Sequence, residues 1–309
     1  MRKVCGEFLS AHGMDLWRGL SGKSPPPLTP RIDTVRFRLA AGASPVVRMD
    51  PPAWGLTRAA LDGSLLEAAR QVGVEVRTRT SFVSSLRQSG SFRVELNDRR
   101  GSTAVVARRL VVASGRPLRH TPRGTWWLGR KAVCDRMETE AALEMFLLPG
   151  GGYVGMSALE TGEMSICALV PDAGEEWLSH PELRDRTVRV GCSIARFTLG
   201  IQPALGDGAF RVGDALSVWP PIVGDGITVA MSSGVLLGKV LSEDRVAQRM
   251  EPGDWLQLWK SKLVRQLRIS LALHTVAGNR YGRAGLLALT RALPITGDWL
   301  VRATRTWCR

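Results

Sequence analysis

The chain is 309 residues long, 44% hydrophobic and 23% charged. That length leaves room for a sizeable buried core and about two domains, and the composition excludes a disordered or fibrous chain. The formal net charge is +14, carried mainly by arginine, since only six of the 42 basic residues are lysine.

An arginine excess suits phosphate or nucleic-acid binding. No zinc-finger spacing and no RNA-binding aromatic signature accompanies it, so the reading is scattered surface arginine and no nucleic-acid partner. The five cysteines, Cys5, Cys134, Cys167, Cys192 and Cys308, contain no C-x-x-C pair. An odd count without an apolar leader before it points to a reduced, cytoplasmic chain with neither a disulfide framework nor a metal site. No apolar run reaches the roughly 18 residues of a membrane helix.

A proline-rich loop spans 24–30, and TVRFRLA (34–40) and PVVRM (45–49) follow as short strands. Val35, Phe37 and Leu39 alternate with Arg36 and Arg38, as on a half-exposed strand. Thr57 to Val72 predicts a helix capped by Thr57, with Leu61, Leu65, Ala68, Ala69 and Val72 on one stripe and Gly73 as its stop. VEVRTRT (74–80) reads as a strand, and SFVSSLRQ, SFRVELND and STAVVARRLVVAS as further strands turned at Ser89-Gly90 and Arg100-Gly101. KAVCD, LEMFLL, YVGMSAL and EMSICALV predict an antiparallel sheet inserted into the α/β part. Residues 173–200 read as helical, 209–213 as a strand, 226–241 as a helix, and 252–305 as helices broken near Gly278, Gly282 and Pro294.

Two apparent phosphate motifs fail on context. GGGYVG (150–155) matches G-x-G-x-x-G, but strand-like sequence follows it where a dinucleotide site needs a helix N-terminus. It reads as a hairpin turn. SGKS (21–24) would need a glycine at Trp17 to end a P-loop.

The specific signal is FRVGDALSVWPPIVGDGITVAMSSGVLLG (210–238). A strand ends at Gly213-Asp214, Pro220-Pro221 follow, and Gly224-Asp225-Gly226 opens an apolar helix. An acid at a strand end can accept from a polyol. Glycines at a helix start let backbone N–H groups approach an oxygen-rich ligand, with the helix dipole favouring negative charge.

This segment closely resembles the second flavin-binding motif of FAD-dependent oxidoreductases with the p-hydroxybenzoate hydroxylase fold, which include aromatic hydroxylases, flavin halogenases and geranylgeranyl reductases. RKVCGEFLS resembles the K-x-C-G segment of the geranylgeranyl reductase branch, and the 56–76 stretch resembles its R-x-x-L/F-D-x-x-L helix, with Arg58 and Asp62 at the polar positions. RLVVASGR resembles the strand before A-T/S-G-R, placing Gly115 near the cofactor.

Three departures stand beside the resemblance. The G-x-G-x-x-G βαβ unit that holds the ADP half of FAD in these families is absent from the chain, which therefore reads as N-terminally truncated. Ala113-Ser114-Gly115-Arg116 stands where aromatic hydroxylases carry D-G. Of the reductase motif Y-x-W-x-F-P only Tyr153 remains, with Gly155, Ser157 and Ala158 at the other places.

The resemblance implies an α/β, Rossmann-like FAD-binding domain with an inserted antiparallel sheet. Its parts are 1–33, 51–118 and 201–245 for FAD, 34–50 and 119–200 for the substrate sheet, and 246–309 as a helical C-terminus. It implies FAD as cofactor, NAD(P)H as reductant and a hydrophobic substrate such as an isoprenoid or polyketide, with reduction or monooxygenation as the chemistry. Arg58, Gly115, Gly213, Asp214, Pro220, Pro221, Gly224, Asp225 and Gly226 are the implied cofactor residues, Tyr153 lines the substrate pocket, and Cys5 is the candidate catalytic side chain. The competing expectation is a non-catalytic fragment without independent FAD binding. From Trp259 to the C-terminus, ten Lys or Arg face one acid, Asp298. That tail reads as a packed helical cap, with peripheral membrane contact as the alternative.

Overall fold

The computed structural model describes residues 3–38, 46–115, 127–135, 142–148, 152–171, 189–203, 206–243, 249–292 and 295–305. It opens with strand β1 (Phe8–Leu9) and helix α1 (Ala11–Ser21), neither of which the sequence reading anticipates. Their signals are nonetheless local. Ser10 accepts from Gly13 N–H as the N-cap, and Gly22, at φ 65°, closes the helix through its N–H to Arg18 O. The SGKS stretch thus begins at a helix C-terminus, where backbone carbonyls repel a phosphate.

An eight-stranded sheet dominates. It contains β1, β2 (Arg31–Arg38), β3 (Val46–Gly55), β8 (Trp127–Asp135), β9 (Ala142–Leu147), β10 (Tyr153–Ala158), β11 (Glu163–Pro171) and β12 (Arg189–Phe197) in the order β1-β3-β2-β9-β10-β11-β8-β12. Alternation explains β2: Val35 and Phe37 turn to an apolar cluster, while Arg36 and Arg38 both bind Glu144 of β9, at 2.8 and 2.7 Å. GGGYVG falls at the β9–β10 hairpin, as read; its first two residues, 150 and 151, lie outside the described ones, and Leu148 N–H donates to Gly152 O across it. The 173–200 stretch contradicts the helical reading at its C-terminal end. Arg189–Phe197 pairs antiparallel with β8, because the edge of that strand offers unpaired backbone groups. Residues 172–188 lie outside the described ones.

The second part carries α2 (Arg58–Gln71), a three-stranded meander β4 (Ser81–Gln88), β5 (Ser91–Asp98) and β6 (Gly101–Ala107), and β7 (Val111–Val112) paired in parallel with β14 (Phe210–Arg211). α2 has the anticipated Thr57 cap, but only its first half is buried. Leu61 and Ser64 are inside and Val72 is exposed. VEVRTRT is not a strand. It has no partner strand among the described residues, and Arg79 sits at φ 57°, outside extended geometry. β13 (Gly200–Ile201) and β15 (Ser217–Val218) form a small ladder before α3 (Gly226–Ser242).

α4 (Pro252–Gly278), α5 (Arg280–Ala292) and α6 (Ile295–Arg305) complete the chain. The first break falls at Asn279, beside Gly278. Gly282 sits inside α5 and is no breaker, since the i→i−4 ladder accepts a glycine at a modest cost. Pro294 lies outside the described residues. Trp255 and Trp259 anchor α4: their indole N–H groups donate to Arg211 O and to Ser217 Oγ, at 2.8 and 3.2 Å. These bonds satisfy the polar ends of two buried aromatic bodies. Among the described residues, no helix is long and apolar enough to cross a membrane.

Candidate functional site

One cavity of about 870 Å³ lies where the large sheet, the segment 3–8, α2, α3 and the C-terminal helices meet. The segment 3–7 is held on both sides. Lys131 of β8 is buried, and its ammonium donates to Cys5 O, Glu7 Oε2 and Ser165 Oγ, at 2.8, 2.5 and 2.9 Å. Ser157 Oγ donates to Gly6 O at 3.2 Å, and the other Glu7 oxygen accepts from Arg58 N–H at the start of α2, at 3.0 Å. Glu7 takes the left-handed region, φ 57°, to reach both partners. Cys5 Sγ accepts from Glu7 N–H at 3.4 Å and faces the cavity.

Beside Cys5, Arg58 binds Asp62 bidentately, Nε to Oδ1 and Nη2 to Oδ2, each at 2.9 Å. Lys3 Nζ meets the same carboxylate at 3.0 Å. Burial works against both charges, yet the Asp62 bonds and the Cys5 side chain raise the Arg58 pKa above its ordinary value. Burial likewise opposes ionisation of Asp62, and Arg58 and Lys3 outweigh it, holding that carboxyl below the usual range. Both side chains face the cavity.

A further wall is built from the β14–α3 region. Gly213 at φ 59° starts a single 3-10 turn, Gly213–Ala215, that presents Asp214 to the cavity; Gly213 N–H donates to Ser233 Oγ at 2.8 Å. A second turn, Pro221–Val223, ends at Gly224 with φ 70°. A Cβ on Gly224 would stand 2.8 Å from the Phe8 ring. Asp225 precedes α3 and caps no N–H with its side chain, so the helix N-terminus at Gly226 and Ile227 opens toward the cavity without a side-chain lid.

Nine of the eleven sequence-predicted residues therefore line one space: Cys5, Arg58, Gly115, Tyr153, Gly213, Asp214, Pro221, Gly224 and Gly226. Pro220 and Asp225 do not. Both are buried behind the lining, Asp225 completely, where Asp225 O accepts the Val229 N–H of the first α3 turn. Much of the remaining lining is apolar. Val35, Phe37, Leu143, Met145 and Leu169 come from the sheet, and Leu273, Leu286, Leu300 and Val301 from α4, α5 and α6.

Sequence reasoning missed the Lys131–Glu7–Ser165 cluster. A lysine in an otherwise apolar strand, KAVCD, was the available signal. It also missed that the C-terminal helices reach the cavity. Among the described residues, no cluster of His, Cys, Asp and Glu is arranged to hold a metal.

No family model matches the chain, and no curated protein matches it. Solved structures do. The flavin-dependent brominase Bmp2 superposes with TM-score 0.78 at 18% identity, over 97% of this chain and 83% of that one. A flavoprotein/dehydrogenase from Cytophaga hutchinsonii gives 0.72 at 15%, over 98% and 84%. A geranylgeranyl bacteriochlorophyll reductase-like protein from Thermoplasma acidophilum gives 0.68 at 15%, over 98% and 82%. The fold is that of the FAD-dependent oxidoreductases of the p-hydroxybenzoate hydroxylase type.

Proposed function

We propose that this chain is a flavin-dependent oxidoreductase, a reductase or monooxygenase acting on a hydrophobic small molecule, with the flavin ring seated in the cavity between Asp214, α3 and Arg58. The observation that carries the reading is the mixed lining of one cavity. Gly213, Asp214, Gly224 and Gly226 of the β14–α3 turns line it together with hydrocarbon from the sheet and the C-terminal helices. Gly213 and Gly224 let the turns pack closely on Ala230 and Phe8, and Gly226 leaves open space at the start of the helix. These features fit an isoalloxazine with its ribityl chain. Asp214 would accept from ribityl hydroxyls, the α3 N–H groups would meet the electron-rich pyrimidine edge, and Pro221 would pack on a ring face. Bound there, FAD supplies the hydride and oxygen chemistry of the fold family, with NAD(P)H as its reductant. The protein orients the ring, and its apolar lining excludes water. Cys5 is the candidate catalytic side chain in the same cavity.

The test is a titration of the purified chain with FAD, followed by flavin absorbance and gel filtration. A yellow, stoichiometric complex is expected, and Asp214→Ala or Arg58→Ala should weaken it about tenfold, the scale of one lost charge-assisted hydrogen bond. A colourless chain without flavin quenching overturns the reading. Cys5→Ser should retain FAD and lose turnover.

One observation favours a second reading, in which the chain alone does not retain FAD. The parallel pair β7–β14 has two-residue strands, and Val72, Phe82, Val83, Leu86 and Val106 are exposed. No glycine-rich strand-to-helix turn for a pyrophosphate occurs among the described residues. A colourless purified chain that turns yellow only when joined to a G-x-G-x-x-G unit would establish it.

Peripheral contact with an anionic membrane belongs to the first reading. Tyr281 and Trp299 are exposed beside the helices that line the cavity. Sedimentation with phosphatidylserine vesicles, absent with phosphatidylcholine alone, is the expected outcome.

A further inference from the structure

The floor of the cavity is a register row across the sheet. Phe37 of β2 pairs with Met145 of β9, Met145 with Gly155 of β10, and Gly155 with Cys167 of β11. All four face the cavity. The row is apolar and filled except at its centre, where Gly155 has no side chain.

The backbone does not require a glycine there. Gly155 is absent from the positive-φ residues, so the backbone conformation admits any side chain. A Cβ would meet only Met145 Sδ at 3.3 Å, a flexible side-chain atom, and its nearest backbone neighbour, Cys167 O, is 3.9 Å away. A glycine inside a central strand weakens pairing and packs nothing. It is retained where something must approach the backbone closely. The gap opens to the cavity and is flanked by Met145 Sδ and Leu143 Cδ1.

We propose that the depression at Gly155 seats the hydrocarbon end of the substrate, an apolar ring or branched alkyl group, and that Gly155 sets its size limit. The proposal rests on the reading that this cavity takes a hydrophobic small molecule. A larger side chain at 155 would project into the space the ligand needs, while its strand stays paired. Gly155 is thus a specificity-determining position and is no part of the β14–α3 turns.

The test uses the whole chain and a neutral apolar probe, N-phenyl-1-naphthylamine, followed by fluorescence, with FAD titrated in parallel. The parent chain should bind the probe saturably. Gly155→Trp should weaken it at least about tenfold, and Gly155→Ala far less, because a single Cβ needs only a small shift of Met145. Met145→Ala added to Gly155→Trp should restore part of the affinity, which a merely destabilising substitution would not show. Should Gly155→Trp fail to fold, Gly155→Leu carries the same comparison. Parent-like probe affinity in Gly155→Trp or Gly155→Leu, or no saturable binding by the parent, overturns the proposal. If FAD fails to bind while the probe pattern holds, the flavin reading falls and the seat at Gly155 stands. If FAD binds and the probe ignores position 155, the reverse is true.

Discussion

Lys131 and Glu7 form a buried ion pair, Nζ to Oε2 at 2.5 Å, with Lys131 only 1% exposed. It joins the large sheet to the segment that bears Cys5, and through Arg58 N–H to the start of α2. Two halves of the cavity wall are thereby fixed to each other by one charge. The pair is satisfied at every visible arm: three acceptors for the ammonium, and two donors for the carboxylate.

Breaking that pair on one side should be severe. Lys131→Met leaves the Glu7 carboxylate buried with a single backbone donor, and a loss of about 3–5 kcal/mol is expected in urea unfolding. Lys131→Met with Glu7→Gln should cost clearly less than the sum of the two single changes, because no uncompensated charge then remains. Strict additivity would show that the two groups are not coupled.

His274 gives the stability a pH dependence. The ring is buried on α4, edge-on to Trp127 and Tyr153 at centroid distances of 4.7 and 6.1 Å, and neither nitrogen has a hydrogen-bond partner among the described residues. Burial lowers its pKa from 6.5 to about 4. The unfolded chain therefore takes up the proton first as pH falls, and the native state loses stability between pH 6.5 and about 4. The loss levels off below that window and totals about 3 kcal/mol, at about 1.4 kcal/mol per pKa unit. His274→Phe should flatten the profile of urea midpoints over this range. An unchanged slope would assign the dependence to other groups.

Gly224 and Gly226 separate folding from binding. Gly224→Ala forces an alanine into φ 70° and its Cβ to 2.8 Å from Phe8, so about 1–3 kcal/mol of destabilisation is expected. Gly226→Ala meets nothing within 4 Å and has no positive φ, so its stability should stay within about 0.5 kcal/mol. If a flavin ring occupies that space, Gly226→Ala should nevertheless weaken FAD. Thermal melts and FAD titrations on the two variants read the two effects independently.

Much of this site was legible because its signals are local. The order Gly213-Asp214, Pro221, Gly224, Gly226 fixes a strand end, a turn and a helix start within fourteen residues, and one turn geometry brings them together. The hairpins β4–β5 and β5–β6 were legible for the same reason, from Ser89-Gly90 and Arg100-Gly101. What stayed hidden depends on distant partners. VEVRTRT has strand-like composition but no neighbour to pair with, and Arg189–Phe197 is a strand because β8 lies beside it. The Lys131–Glu7 contact spans 124 residues, and no spacing rule reports it. α1 is the exception. Its Ser10 and Gly22 caps are signals within the segment itself, and no distant partner is needed to read them.

The Arg58–Asp62 pair provides the last prediction. It is one helical turn long and partly exposed, so Asp62→Ala should cost little stability, about 0.5 kcal/mol. Its effect should fall on binding instead. Without Asp62, the guanidinium loses both bonds that hold it at the cavity wall, and FAD affinity should drop as it does in Arg58→Ala. The pH sign follows from the carboxyl. Arg58 and Lys3 hold the Asp62 pKa below 3.8 against the opposing effect of burial, so the pair is intact above that value and is lost only as pH falls through the lower, native pKa. FAD affinity at constant ionic strength should therefore not change with the state of Asp62 between pH 5 and 8, a window well above the ordinary carboxylate range. Asp62→Asn, which keeps the shape and removes the charge, should lower affinity by a similar factor at both ends of that window. If Asp62→Asn binds FAD as the parent does, Arg58 is positioned by something other than its carboxylate partner.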